Sequence, residues 1–295
     1  MQGLMQDVPL AISHIFERAE KYHPHKGIVT ATGSGLERTT YGEWAARTRK
    51  LGGVLDNLGI SADGRVFTVQ IKPGIFFADD PAFKGKPREL VAQDYAYAIK
   101  RFYDPRYNSA DLYLFESLKL PGLAEVRDRA VKSRKPFDYD ADVQGVRATG
   151  RYTLRVTLGL ADPRFIYLLA SPQFMGAVAR EVVDLYGDDI GAHPVGTGAF
   201  RLKSWRRGSR IELERSPGFR SEVYGGLPAT DPIAERAALH LKGKKLPLAD
   251  RVVVDIVEEG QPRWLSFLNG TYHWLLVPGN FRPLAAPGGT LAPYL

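Results

Sequence analysis

Apolar positions at helical spacing open the chain. Ile12, Ile15, Phe16, Ala19 and Tyr22 fall on one stripe, which predicts a helix ended by Pro24. Ile28 to Thr32 reads as a strand, Gly33-Ser34-Gly35 as a turn, and the residues around Arg38 as the returning strand. Thr40 with Glu43 forms a capping box, in which side chains satisfy the orphan amides of a helix start. Trp44, Thr48, Leu51, Leu55 and Leu58 then keep helical spacing, and Gly59 closes the element. The first segment is therefore a small helix, hairpin and amphipathic helix.

The texture changes near Phe67. Phe67, Val69 and Ile71 alternate with Thr68, Gln70 and Lys72, a half-buried strand stopped by Pro73-Gly74. Val91, Tyr95, Ile99 and Phe102 mark a helix that Pro105 terminates. Residues 118–148 are charged and hold a short helix; Tyr152, Leu154, Val156 and Leu158 alternate as a strand. One helix follows Pro163, and another runs from Ala179 to Tyr186. After His193 to Phe200 come a strand through Trp205, a turn at Arg207-Gly208 and a strand Arg210 to Glu214, a hairpin. Residues 216–249 read as a surface loop. Val252 to Val257 is nearly all apolar, the mark of a strand covered on both faces. Pro262 opens a short helix with Trp264, Leu265 and Leu268, ended by Gly270, and an irregular tail begins at Pro278. Strands and helices mixed in this way give an α/β (α+β) class.

At about 150 residues per domain, 295 residues predict two domains or one large one. With 44% hydrophobic and 25% charged residues the chain is an ordinary globular one, which excludes a disordered tail and a collagen-like fibre. Cysteine is absent, so no disulfide, thiolate metal site or cysteine nucleophile can form. The absence also suits an exported bacterial protein. Yet Met1 to Val8 carries Asp7 and no basic residue, and Ser13, His14, Glu17 and Arg18 soon break the apolar stretch. No secretory signal is read there, which makes the chain cytoplasmic as written. No window approaches the ~20 apolar residues of a membrane span. The net charge of +7 is mild and scattered, which argues for solubility and against a nucleic-acid partner.

Most candidate chemistry has a plainer reading. Gly33-Ser34-Gly35 lacks the strand, helix and Lys of a phosphate loop and is a hairpin turn. Asp138, Asp140 and Asp142 have the spacing that opens a calcium loop, but Val143 and Thr149 stand where Gly and Glu are needed. His23 and His25 have no third metal ligand in view, and His193 has no nucleophile motif beside it. Lys203, Arg206, Arg207 and Arg210 surround Trp205, a small platform for nucleic acid but an ordinary solvated hairpin tip. No catalytic residue, metal site or cofactor is expected. Gly196-Thr197-Gly198-Ala199-Phe200 is the most informative stretch, because glycines entering a strand allow close backbone approach by a neighbour or by a ligand.

From about Ser61 onward the chain resembles the family 5 extracellular solute-binding proteins of ABC importers. Gly64 to Asp79 resembles the family's strand and "F-x-D" turn. Glu89-Leu90-Val91-Ala92-Gln93-Asp94-Tyr95 with Lys100-Arg101 and Asp104-Pro105 resembles its "T-A-x-D-F-x-x-S-x-x-R-x-x-D-P" helix. Pro194 to Leu202, Trp205, Gly208 and Ile211 to Arg215 resemble "P-V-G-T-G-P-Y-x-L-x-x-W-x-x-G-x-x-I-x-L-E-R-N-P". Glu258 to Gly270 resembles the entry into the second lobe. Ala199 replaces the usual Pro, Ser216 the usual Asn, and Tyr272-His273 the usual acidic pair.

Residues 1–66 instead resemble the opening of AMP-forming fatty-acyl-CoA synthetases: Thr40-Tyr41-Gly42-Glu43 matches "Y-T-Y-x-E", and Leu58-Gly59-Ile60 with Asp63, Arg65 and Val66 matches "L-G-I-x-x-G-D-R-V". The ATP loop and all later adenylation motifs are missing, so ligase activity is not expected. The expectation is a hybrid with a junction near Asp63-Gly64-Arg65-Val66.

The resemblance implies a partial periplasmic-binding-protein-like fold of type II lobe architecture. Its segments are 1–66, synthetase-like; 67–192, the small subdomain of the first lobe; 193–250, first-lobe sheet; and 251–295, the start of a truncated second lobe. It implies a receptor that closes on a peptide or other small solute, works in the periplasm, and delivers to an inner-membrane ABC permease without chemistry. Gly196, Thr197, Gly198 and Phe200 then sit on the cleft side of the first lobe, and Tyr113 offers an aromatic from a loop. Glu258 and Glu259 lie at the hinge. With part of the second lobe missing, weak or no binding is expected. The alternatives are an inactive fragment of a fatty-acyl-CoA ligase and an inert structural fragment.

Overall fold

The computed structural model describes residues 12–32, 35–61, 63–162, 164–225, 236, 238–239 and 241–293. Met1 to Val8, the turn residues Gly33-Ser34 and Pro163 lie outside the described residues, as does part of the 216–249 loop. The chain forms two compact units. One takes Met1–Pro73 and Val91–Ala177, the other Gly74–Leu90 and Val178–Leu295.

The first unit opens with α1 (Ile12–Tyr22), strands β1 (Gly27–Thr32) and β2 (Gly35–Thr40), and α2 (Tyr41–Asn57). The strands pair antiparallel, with Gly27 opposite Thr40. The capping box is present: the Glu43 N–H donates to Thr40 Oγ1 at 3.2 Å, and the Thr40 N–H donates to Glu43 Oε2 at 2.9 Å. Arg49 of α2 holds Glu20 of α1 with both terminal guanidinium nitrogens. Gly59 stops α2 at φ 71°, and a Cβ there would stand 2.2 Å from the Thr68 carbonyl oxygen, so no other residue fits. The apolar stripe of α2 is only partly used. Ala45 is buried, whereas Leu51 and Leu58 are more than half exposed.

The rest of this unit is β3 (Val66–Gln70), α3 (Ala92–Tyr103), α4 (Leu112–Ser117), α5 (Leu123–Ser133), β4 (Val146–Gly150), β5 (Thr153–Thr157), α6 (Phe165–Leu169) and α7 (Pro172–Met175). The sheet order is β3-β5-β4, all antiparallel, with Phe67 opposite Val156. The alternation read from sequence buries Phe67, Leu154 and Val156 on one face, where α3 packs with Ile99 and Tyr103. Tyr103, Lys100 and Asp104 find partners in this core, while the buried Nε of Arg101 on α3 has no hydrogen-bond partner among the described residues. The Tyr103 hydroxyl donates to the Phe115 carbonyl at 2.9 Å, and the Lys100 ammonium donates to the carbonyls of Tyr139 and Ala141, each at 2.8 Å. Asp104 ends α3, accepting the Arg106 N–H on Oδ1 and the Tyr139 hydroxyl on Oδ2.

In the second unit, the segment before α3 folds over a short 3-10 turn, Pro81–Phe83. Then follow α8 (Arg180–Tyr186), β6 (Phe200–Arg206), β7 (Arg210–Arg215), β8 (Glu222–Val223), β9 (Lys245–Leu246), β10 (Arg251–Asp255), α9 (Gly260–Leu268) and α10 (Arg282–Ala285). The sheet order is β10-β7-β6, antiparallel throughout. Gly208 turns the expected hairpin at φ 70°. The expectation that Val252 to Val257 is covered on both faces fails. β10 is an edge strand, and Val253, Val254 and Ile256 are 38%, 43% and 38% exposed. Val253 and Val254 point to opposite faces, so among the described residues neither face of the strand is fully covered.

Candidate ligand-binding loop

The loop from His193 to Ala199 is held at three points. The Ala78 N–H donates to the Gly196 carbonyl at 2.9 Å, the Ser216 N–H to the Ala199 carbonyl at 2.9 Å, and Arg220 Nη1 to the Thr197 carbonyl at 3.2 Å. The first contact belongs to a built corner. The Asp80 carboxylate caps the Pro81–Phe83 turn, accepting the Ala82 N–H at 2.9 Å, and also accepts the Tyr186 hydroxyl at 3.0 Å. Tyr186 in turn stacks flat on His193, with ring centroids 3.8 Å apart and planes 3° from parallel. His193 Nε2 lies 3.3 Å from Asp189, and Arg207 lies 3.9 Å from the same carboxylate. Sequence reasoning passed over this corner. Its one signal is Asp80 ahead of Pro81, a side-chain acceptor placed just before a residue that starts helical turns.

Within the loop the two glycines are not squeezed by the chain itself. Among the described residues nothing lies within 4 Å of a Cβ built on Gly196, and at Gly198 the nearest atom is the Phe200 carbonyl oxygen at 3.9 Å. Of the two reasons for a glycine here, a tight crossover and approach by something else, the first finds no support in the chain's own packing. Phe200 is half-buried where β6 begins, opposite Arg215. A cleft of about 480 Å³ lies beside the loop, bounded by Ala78 to Asp80, Ala192 to Val195 and Arg201 to Trp205. Its charges are largely matched: Arg201 Nη2 lies 2.7 Å from Glu214, and Lys203 lies 4.0 Å from Glu212.

Behind the corner, Arg88 Nε donates to Glu181 of α8 at 2.8 Å. Partial burial pushes the Glu181 carboxyl up. The Arg88 hydrogen bond, a backbone contact and the Arg88 charge outweigh that and hold it below the ordinary carboxylate range.

The other expected site residues fall elsewhere. Tyr113 belongs to the first unit and stands on α4, not in a loop, with 64% of its surface exposed. Glu258 and Glu259 are exposed in the link between β10 and α9. Asp138 accepts the N–H groups of Asp140 and Ala141 in an ordinary turn, and no group of metal-ligating side chains occurs among the described residues. Of the basic hairpin, Arg210 is bound to Asp255 at 2.6 Å. No helix among the described residues is long and apolar enough to cross a membrane.

The comparisons with known proteins follow this architecture. The glutathione-binding protein GsiB of Pectobacterium atrosepticum is 25% identical over 232 residues, which cover 78% of this chain and 38% of that protein. Its counterpart in Salmonella paratyphi A is 23% identical with the same coverage. The chain thus spans well under half the length of the curated relatives it matches. A periplasmic oligopeptide-binding protein of Borrelia burgdorferi superposes with a TM-score of 0.51 at 19% identity, over 71% of this chain and 35% of the other. The substrate-binding domain of an oligopeptide ABC transporter from Bacillus anthracis gives 0.52 at 20%, over 75% and 36%. Burkholderia pseudomallei OppA gives 0.53 at 17%, over 76% and 37%. At such identities these structures establish the fold, a mixed α/β arrangement of periplasmic-binding-protein type. The match to the family model "Bacterial extracellular solute-binding proteins, family 5 Middle" runs over residues 51–286, and by it this chain belongs to the family 5 bacterial extracellular solute-binding proteins.

Proposed function

We propose that the chain is part of an import receptor: it holds a peptide or other small solute, carries out no chemistry on it, and presents it in the periplasm to an ABC permease. The observation that carries this is the family match across residues 51–286, joined to a glycine loop whose backbone is left open by its own chain. Gly196, Thr197, Gly198 and Phe200 form the ligand-facing stretch, Tyr113 contributes an aromatic ring, and Glu258 and Glu259 serve the hinge. The relatives, a glutathione-binding protein and an oligopeptide-binding protein, favour peptides as the solute class. In this reading 67–192 is the small subdomain of the first lobe, 193–250 its sheet segment, and 251–295 the entry to the second lobe.

The test is an amide-shift titration of the chain with a mixture of di- to pentapeptides. Residues 196–200 should shift as peptide is added, and shifts confined to other residues, or no movement at about 1 mM peptide, overturn the site.

The origin of the first residues is a separate proposal. The observed helix, hairpin and capped helix keep the order read from the apolar spacing, and the family match already begins at residue 51, inside α2. A junction between the two sources should therefore be sought by resequencing codons 55 to 75, where an uninterrupted receptor gene rejects the hybrid. ATP–pyrophosphate exchange should be nil, since no adenylation motif follows.

A further inference from the structure

The corner beside the glycine loop joins two stretches of chain twice. One tie is main-chain: the Ala78 N–H donates to the Gly196 carbonyl at 2.9 Å. The other is a relay of side chains. Asp80 accepts the Tyr186 hydroxyl, and the Tyr186 ring carries the His193 imidazole flat on its face. Residues 78–80 and 193–196 are therefore fastened at both ends, and loosening one tie loosens the other. All of these residues lie in the second unit.

The stack has the geometry of a cation on a ring. Its centroids are 3.8 Å apart, closer than the roughly 4.5–7 Å at which aromatic pairs settle. The faces of two neutral rings are both negative, so close parallel overlap works against them. A protonated imidazole reverses the sign, because a positive charge is drawn to the face of a phenol.

The other charges around His193 set the direction. Asp189, on the 3-10 turn Gly187–Ala192, lies 3.3 Å from Nε2 and favours the charged imidazole. Arg207 at the hairpin tip opposes it, but lies 3.9 Å from that same carboxylate, which screens it. On α8, Arg180 is matched by Asp184 at 3.7 Å. On β6, Arg201 and Lys203 are matched by Glu214 and Glu212. The balance left is negative: Asp79 and Asp80 on one side and Asp188 and Asp189 on the other, against Arg207.

We propose that His193 is a proton-operated latch on the glycine loop: charged, it clasps Tyr186 and Asp189 and fastens the loop's first residues; neutral, it lets the corner loosen. Imidazole is the side chain of this corner whose charge ordinarily changes between about pH 5 and pH 8. Carboxylates, guanidinium groups, ammonium groups and phenols ordinarily change theirs outside that range. The latch is therefore whole at the acid end and is lost as pH rises. It works whether or not the loop meets a peptide.

Amide exchange of the full chain tests it. Each amide is compared with its intrinsic rate at the same pH and with the amides of the β6–β7 pair, which removes changes common to the unit. Protection of the Ala78 N–H should rise roughly threefold on going from about pH 8 to about pH 5.5. The His193 N–H, which donates to the Ile190 carbonyl at 3.0 Å, should follow it. A level that stays flat in the parent, or rises with pH, overturns the latch. His193→Gln keeps a donor for Asp189 without a charge and should hold Ala78 at one level; a surviving pH response in that variant also overturns it. The His193 ring resonances give a second reading that needs no variant. They should stay displaced by the Tyr186 ring current after protonation, and a ring that leaves the stack on taking up a proton sinks the proposal.

Discussion

Glycines separate structural from functional demand at the scale of single residues. A Cβ on Gly159 would stand 2.5 Å from the Lys119 carbonyl oxygen and 2.7 Å from the Lys119 Cβ. Backbone cannot give way cheaply, so Gly159→Ala should cost about 2–3 kcal/mol in a denaturant melt. Gly196→Ala meets nothing and should stay within about 0.5 kcal/mol of the parent, while lowering peptide affinity if the loop faces the ligand. Equal stability with unchanged affinity removes Gly196 from the site. Buried polar groups make a similar contrast. Tyr103→Phe removes one of two donors to the Phe115 carbonyl, which keeps the Leu118 N–H at 3.2 Å, a loss of about 1 kcal/mol by the same melt. The phenols of Tyr103 and Tyr139 are both pushed well above the ordinary tyrosine range, first by burial and then by acidic neighbours. A phenol raised in the folded state stabilises below its ordinary value and loses that contribution as pH climbs through the folded one. Absorbance titration should show both ionising only as the first unit unfolds.

Elements whose signals are local were legible in the sequence. Thr40 and Glu43 fix the start of α2, Gly59 its end, and Arg207-Gly208 the β6–β7 hairpin, because caps and turns are decided by the residues that make them. What was not legible depends on distant partners. β4 reads Val146-Arg147-Ala148-Thr149-Gly150, an alternation too short and too weakly apolar to stand out, with Val146 alone buried; it is a strand because β5 offers it an edge. α4 is one short helix in a run read as loop, and α10 sits in a tail read as irregular. β10 erred the other way: its apolar run states a demand for cover that the described residues do not meet. The site divides likewise. The glycine loop stood out by composition, but the corner of Asp80, Tyr186 and His193 joins residues far apart in sequence. One tie of that kind gives a pH effect. Because Arg88 holds Glu181 below the ordinary carboxylate range, its contribution is whole above that range and is lost as pH falls through it. Between about pH 6 and pH 3, the melting temperature of the second unit should fall more steeply in the parent than in Arg88→Met; parallel curves remove the pair from the account.

Over the whole molecule, the interior is unevenly shared. The largest fully buried side chains, among them Tyr103, Phe67, Phe115, Ile99, Leu123 and Leu154, all belong to the first unit. The second unit buries fewer large groups, Phe77, Phe83, Leu90 and Trp264, the last stacked on Phe281 at 5.7 Å, beside smaller ones such as Val182 and Val183, and none of its large ones is as fully buried. Hydrophobic burial is the main favourable term in folding, and local stability follows it. Hydrogen exchange should therefore show the second unit opening first, with the amides of β6, β7 and β10 exchanging well before those of α3 and β5. Calorimetry should resolve two transitions, and Tyr103→Phe should lower only the upper one. A single transition that Tyr103→Phe moves as a whole would mean that the two units melt as one.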